Sequence, residues 1–349
     1  MGMQLENYRP RSRLVTKTTP VDRPRFPVLD AHNHLADPFG GGWDQKPLNA
    51  LLDLLDAAGV IQYVDLDGGW GEDILHRHLD LFKSRSPNRF RVFGGVDWSQ
   101  WPAKGDGFAE WAAGRLVAQA EAGAEGLKIW KAFGLHVRDD RDHLVSVDDP
   151  RLDPIWATAG RLGLPVVIHV ADPVAFFDPL DECNERWEEL GLHPGWAFAS
   201  PPFPPFMQIL DALRTLVQRN PATTFIGAHV GCYAENLAWV GAMLTDCPNY
   251  YVDISARIGE LGRQPYTARR FLIQYQDRVL FGSDMGPDLE AYRLAYRFLE
   301  TDDEYFNYSV GEIPQQGRWH VHGLYLPDAV LKQLYSDNAR HVLGEWEAT

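Results

Sequence analysis

Val28-Leu29-Asp30-Ala31-His32-Asn33-His34-Leu35 is the stretch on which the reading of this chain turns. It opens on apolar residues and ends in His-x-His. Side chains on a β-strand alternate faces with a period of two, so in a strand His32 and His34 point the same way. Two imidazoles on one side of a rigid strand are a pair of nitrogen ligands for a divalent cation. The chain holds 12 histidines, and the same spacing recurs at His76/His78 and His320/His322. The segment Glu72–Leu79 reads as helix, where residues two apart lie on nearly opposite faces and cannot chelate together. His320 and His322 fall beyond the last strand and receive no role. What singles out His32 and His34 is what repeats downstream.

Outward from that strand a rhythm runs along the chain. Apolar, β-branched segments at 28–35, 60–66, 91–96, 126–130, 164–169, 223–229, 250–255 and 278–284 alternate with helical ones. The helices are expected near 47–58, 72–85, 106–122, 152–162, 206–219, 233–245, 266–276 and 288–300, several of them stopped by a glycine such as Gly59, Gly123 or Gly163. Near-continuous apolar strands separated by helices indicate a parallel sheet covered on both faces. Eight such units is the number that closes a (β/α)8 TIM barrel, in the α/β class. Residues 1–27 are basic, carry prolines and have no period; they read as an arm packed outside the body. Residues 28–349 read as one domain with two insertions. The first, 174–205, is rich in aromatic residues and proline and is expected to be a lid or an interface with a second copy in a homo-oligomer. The second, 301–326, is polar and aromatic, and 327–344 reads as a final helix covering the barrel.

Composition narrows the partners. With 33 basic and 48 acidic residues the formal net charge is −15, which repels nucleic acid and anionic membranes. No run approaches the length of a membrane-spanning helix, and the N-terminus has no secretory apolar stretch. The three cysteines, Cys183, Cys232 and Cys247, are scattered, with no Cys-x-x-Cys, and suit a reducing compartment; a cytoplasmic location is the expectation.

In a barrel of this kind the active site lies where the strands end. Strand 1 ends in His32 and His34, strand 5 in His169, strand 6 in His229 and strand 8 in Asp284. Each polar residue closes an apolar strand just before a turn. A mixed nitrogen and oxygen set of this sort suits Zn2+, Mn2+ or Fe2+, with Zn2+ the first expectation. Asp253 on strand 7 and Asp65 and Asp67 on strand 2 read as turn residues or as supports for ligands. Arg257, just past strand 7, could hold an anionic group of a substrate. Trp70, Trp98, Trp101 and Trp130 follow or end strands 2, 3 and 4 and could wall an aromatic pocket.

Asp30-Ala31-His32-Asn33-His34, Ile168-His169, Gly227-Ala228-His229 and Phe281-Gly282-Ser283-Asp284 together resemble the metal motifs of the amidohydrolase superfamily. The likeness is nearest to its amidohydrolase-related branch, which holds aminocarboxymuconate-semialdehyde decarboxylase and related decarboxylases, hydratases and lactone hydrolases. By that resemblance His32, His34, His169 and Asp284 match metal ligands, and His229 matches a histidine that polarises substrate or binds a second metal. In two-metal members a strand-4 lysine is carboxylated and bridges the ions, and Lys128 stands at that place. The one-metal decarboxylases usually lack it. The first functional expectation is a metal-dependent hydrolase of a small amide, ester or lactone, using metal-activated water with Asp284 moving its proton and His229 steadying the oxyanion. The alternative is a metal-dependent decarboxylase of a small aromatic or unsaturated acid, and a barrel that binds a ligand without turnover is the third reading.

Overall fold

In the computed structural model the described residues are 2–4, 7–8, 10–36, 40–199 and 201–344. Met1, Leu5, Glu6 and Arg9 of the expected arm, Ser200 of the first insertion and residues 345–349 lie outside them. Nine parallel strands form: β1 (Val28–Asn33), β2 (Val60–Asp65), β3 (Phe90–Val92), β4 (Gly94–Gly95), β5 (Leu127–Ile129), β6 (Val166–Ile168), β7 (Phe225–Gly227), β8 (Tyr250–Asp253) and β9 (Val279–Leu280). They pair in sequence order, as β1-β2-β3 and β4-β5-β6-β7-β8-β9. The expected third strand is thus two pieces hinged at Phe93. Its N–H donates to Asp65 O of β2 at 2.9 Å, while Gly94 N–H donates to Gly126 O beside β5 at 3.0 Å. The circle closes where Ala31 N–H donates to Phe281 O and Asp284 N–H donates to His32 O, both at 2.9 Å. The result is the eight-unit (β/α)8 barrel.

Each unit carries one helix outside: α1 (Leu48–Ala58), α2 (Glu72–His78), α3 (Phe108–Glu121), α4 (Asp153–Leu162), α5 (Phe206–Arg219), α6 (Leu237–Asp246), α7 (Pro265–Gln274) and α8 (Leu289–Glu300). In α5 the buried residues Ile209, Leu210, Leu213, Leu216 and Val217 recur every three or four positions, the stripe a helix needs to lie on a sheet. α1 and α4 stop where Gly59 and Gly163 turn left-handed, at φ 74° and 68°.

Inside the barrel, Leu29, Ala31, Val64, Phe93, Val167, Ile226 and Leu280 form one apolar cluster, and Ala339 and Leu343 of the C-terminal helix Asn338–Leu343 plug it. This covering helix sits at the end where the strands begin, so the opposite mouth stays open. In β1 the interior positions are odd-numbered, yet both histidines are even-numbered. The ladder to β2 shifts register between Asp30 and Asn33, and a bulge of this kind lets a strand change which face it presents. The arm is tied to the outside: Thr19 donates through its N–H and hydroxyl to Asp303, each at 2.7 Å. Among the described residues no helix is long and apolar enough to cross a membrane.

Candidate metal centre

The open mouth gathers polar side chains that end strands. His32 and His34 leave β1, His229 follows β7, Asp284 follows β9, and Lys128 points inward from β5. All are at least nine-tenths buried except Asp284, whose side chain is 23% exposed. Asp284 and His229 hold left-handed backbones, at φ 51° and 58°, as do Val230 and Ala256 nearby. Such conformations cost about 1 kcal/mol or more each and recur where a strand end must aim a functional group. A close approach demands Gly282: a Cβ there would stand 2.8 Å from His32 Cβ.

Each imidazole is oriented from behind. His32 Nδ1 lies 2.8 Å from Asp253 Oδ2, His34 Nδ1 lies 2.7 Å from Asp67 Oδ1, and His229 Nδ1 lies 3.0 Å from Ser255 O. Those acceptors place a proton on Nδ1 in all three rings and turn each Nε2 toward the mouth. The Nε2 atoms converge on Asp284, at 3.7 Å for His32, 3.1 Å for His34 and 3.6 Å for His229. His32, His229 and Asp284 each offer an atom within 4.8 Å of the others. Three imidazole nitrogens and a carboxylate, each ring anchored by an acceptor, fit a divalent cation.

Charge follows the same geometry. Burial opposes ionisation of Asp284, yet His32, His34 and His229 outweigh it and hold the carboxyl well below its usual range. Burial likewise opposes protonation of His34, but Asp284 and Asp67 lift it to about 9. Burial and then the Arg257 guanidinium push His229 far down. A carboxylate kept ionised among imidazoles is a seat for a cation.

His169 takes a different position. Its ring sits 4.5 Å from that of His229, but its Nε2 is 3.4 Å from Asp172 Oδ1, outside hydrogen-bonding geometry. Of the expected ligands it is thus the one whose Nε2 is not turned toward Asp284. Lys128 Nζ is 3.2 Å from His32 Nε2 and 4.7 Å from the Trp130 ring centre. Burial pushes it down to about 8. Lys131, two residues past the end of β5, turns into the mouth and pairs with Asp172 at 2.6 Å.

Above the centre opens a cavity of about 960 Å3. Arg257, Trp70 and Trp130 line it. Arg257 is 5% exposed; one of its nitrogens donates to Ala256 O, and no carboxylate of the described residues lies within 4.0 Å. Trp98 does not line the cavity: it stacks on Phe133 at 4.8 Å and packs beside Trp101 and Phe108, so the expected wall loses it to the core. The first insertion does face the cavity, through Phe176, Arg186 and Trp196.

Asp65 and Asp67 are joined by a residue that the sequence left without a role, His78. His78, on the buried face of α2 while His76 is exposed, lies 2.5 Å from Asp65 Oδ2. Asp67 gives one oxygen to His34 and accepts the Leu35 and Ala36 N–H groups with the other. Asp65, Asp67 and His78 could also hold an ion by distance, but His78 Nδ1 is taken up by Asp65, and both Asp67 oxygens by His34 and the Leu35 and Ala36 N–H groups. Of the two roles expected for the acids at the ends of β2 and β8, Asp67 and Asp253 take that of supports, behind His34 and His32.

Comparison with known proteins follows from this geometry. A protein-family model described as Amidohydrolase (Amidohydro_2) matches residues 30–344. No curated protein matches. Among solved structures, an uncharacterised TIM-barrel protein from Bordetella bronchiseptica superposes with a TM-score of 0.56 at 14% identity, covering 91% of this chain and 98% of its own. A 2,6-dihydroxybenzoate decarboxylase from Rhizobium gives 0.55 at 14% identity, with the same coverage. A dihydroxybenzoic acid decarboxylase from Polaromonas, with bound manganese and the inhibitor 2-nitroresorcinol, gives 0.54 at 16% identity over 91% of this chain and 97% of its own. At these identities the likeness speaks for the barrel alone, whereas the family match spans nearly all of the sequence from β1 to the covering helix. The chain belongs to the amidohydrolase family.

Proposed function

We propose that this protein is a metal-dependent decarboxylase of a small aromatic carboxylic acid. The observation that carries the proposal is Arg257: a buried guanidinium with no carboxylate partner among the described residues, on the wall of an aromatic cavity, beside the candidate metal-ligand cluster. A buried cation of this kind calls for an anion from outside. The manganese and the substrate class named for similarly folded decarboxylases agree with it.

His32, His34, His229 and Asp284 would hold the ion, with His169 able to join by turning its ring. A divalent cation there supplies electrostatic hold on the substrate carboxylate and a neighbouring hydroxyl or keto oxygen. Arg257 grips the same anionic end and fixes the ring's tilt. Trp130, stacked on His34, bounds the ring's side of the site and helps to exclude water. As the carbon–carboxyl bond breaks, its electron pair stays on the ring carbon. That carbon takes a proton from solvent water, relayed across the Asp284 carboxylate beside His229, and carbon dioxide leaves while the hydroxide left from the water balances the charge.

Hydrolysis of an ester, amide or lactone is the second reading, and Lys128 favours it. Its amine stands 3.2 Å from His32 Nε2 with no carboxylate of the described residues within 4.0 Å, so a carboxylated Lys128 could bridge a second ion held by His169 and His229. Two measurements on protein purified without chelator separate the readings. Elemental analysis giving about one equivalent, together with CO2 release from hydroxybenzoates, fits the decarboxylase. About two equivalents with turnover of lactones or esters and no CO2 from any acid would replace it with the hydrolase.

A further inference from the structure

The cavity is larger and more apolar at its rim than a single-ring acid requires. Rings step outward from the metal centre. His34 stacks on Trp130 with centres 5.1 Å apart, and Trp130 stacks on Trp70 at 3.8 Å, each pair tilted by 26°. Trp70 ends this wall at the surface, 47% exposed. Around the same mouth stand Leu192 at 74%, Val310 at 62%, Ile313 at 53% and Met285 at 40% exposure. They come from both insertions and from the loop after β9. One exposed apolar side chain is ordinary, but several from separate segments converging on one cavity mark a surface that waits for apolar matter. The volume, about 960 Å3, is at the upper end for sites that enclose a drug-sized ligand.

Charge decides what that matter is. In the outer cavity the charged side chains answer one another: Arg186 pairs with Glu189 at 2.6 Å and with Glu260, and Lys131 pairs with Asp172. Of the lysines and arginines lining the cavity, Arg257, deep beside the centre, is the one without a carboxylate partner among the described residues. The ligand therefore needs its anion at the inner end and none at the outer one.

We infer that the substrate is an aromatic carboxylate bearing a second ring, with the carboxylated ring at the metal and the other laid along Trp130 and Trp70 under Leu192, Val310 and Ile313. This rests on the decarboxylase reading for the inner ring only. It is tested by calorimetric titration of the metal-loaded protein with salicylate and with its ring-phenylated isomers, while CO2 is assayed in parallel. The best phenylated isomer is expected to bind at least about tenfold tighter than salicylate, since even one methylene in an apolar pocket is worth that much. In the surface-loop double variant Val310→Ser/Ile313→Ser the ratio of the two affinities should fall severalfold. Affinities within twofold of each other, or a ratio that the double variant leaves unchanged, would overturn the inference. Tight binding of a phenylated acid with the ratio lost in the variant, but without CO2, would uphold the second-ring site and refute decarboxylation.

Discussion

Replacing Asp253 by Asn tests how the metal centre is organised. The side chain is fully buried at the end of β8. Its Oδ2 faces His32 Nδ1 at 2.8 Å, and its Oδ1 accepts from the Ser255 and His229 N–H groups at 3.0 and 3.1 Å as well as from the Ser255 hydroxyl. Burial opposes its ionisation, but His32, His229 and Ser255 hold the carboxyl well below its usual range. In the Asn variant the carbonyl must stay where Oδ1 is, because two backbone donors point there. The amide NH2 then faces His32 Nδ1, which becomes an acceptor, and the ring proton moves to Nε2. That nitrogen can no longer ligate. Loss of such an anchoring partner lowers metal affinity by about 10- to 100-fold, or about 1.4–2.7 kcal/mol. The shape is unchanged, so far-ultraviolet circular dichroism should match the native protein. Competition against a chromophoric chelator reads the Mn2+ and Zn2+ affinities. A variant that binds both as tightly as the native protein would refute the assignment of His32 Nε2 as a ligand held by Asp253.

Asp284→Asn should keep the metal, because its carbonyl can still ligate, but lose turnover by about 10^2- to 10^4-fold, the usual share of a proton-transfer group; unchanged kcat removes Asp284 from proton transfer. Arg257→Gln should raise the Kd of a substrate carboxylate by about tenfold or more, reflecting a lost charged hydrogen bond of about 1.5–3 kcal/mol, and leave the neutral amide of the same acid unaffected. Equal effects on acid and amide would mean that Arg257 only shapes the wall. Asp303 tests the arm. Burial opposes its ionisation, but Thr19 and Arg297, the latter at 2.7 Å, keep its carboxyl below the ordinary 3.8. Its stabilisation is therefore full above pH 3.8 and lost as the pH falls through the lower folded value. Asp303→Asn should be less stable in urea at neutral pH, with the gap narrowing as the pH falls below 3.8; a gap independent of pH would show that charge is not what Asp303 contributes.

The sequence by itself determined the barrel and named the polar residues at its mouth. Strand periods, helix stripes and glycine stops act over a few residues, so all eight βα units were legible in order. The apolar strands that end in His32, His34, His169, His229 and Asp284 named the metal-site candidates for the same local reason. The expected third strand shows the limit: its break at Phe93 comes from passing hydrogen bonds from β2 to β5, which no local pattern records. Trp98 and Trp130 look alike in sequence, as tryptophans near strand ends, yet one stacks in the core and the other on His34.

Tertiary structure decided what the donors do. Asp253 lies 221 positions from His32, and Asp67 lies 33 from His34, but each fixes which ring nitrogen is free. The turn of His169 toward Asp172, the lone charge of Arg257 and the pairing of Arg186 in the outer cavity were equally beyond reach. A side chain's residue type is written in the chain, but its protonation, tautomer and pairing depend on neighbours that only the closed barrel brings within hydrogen-bonding distance.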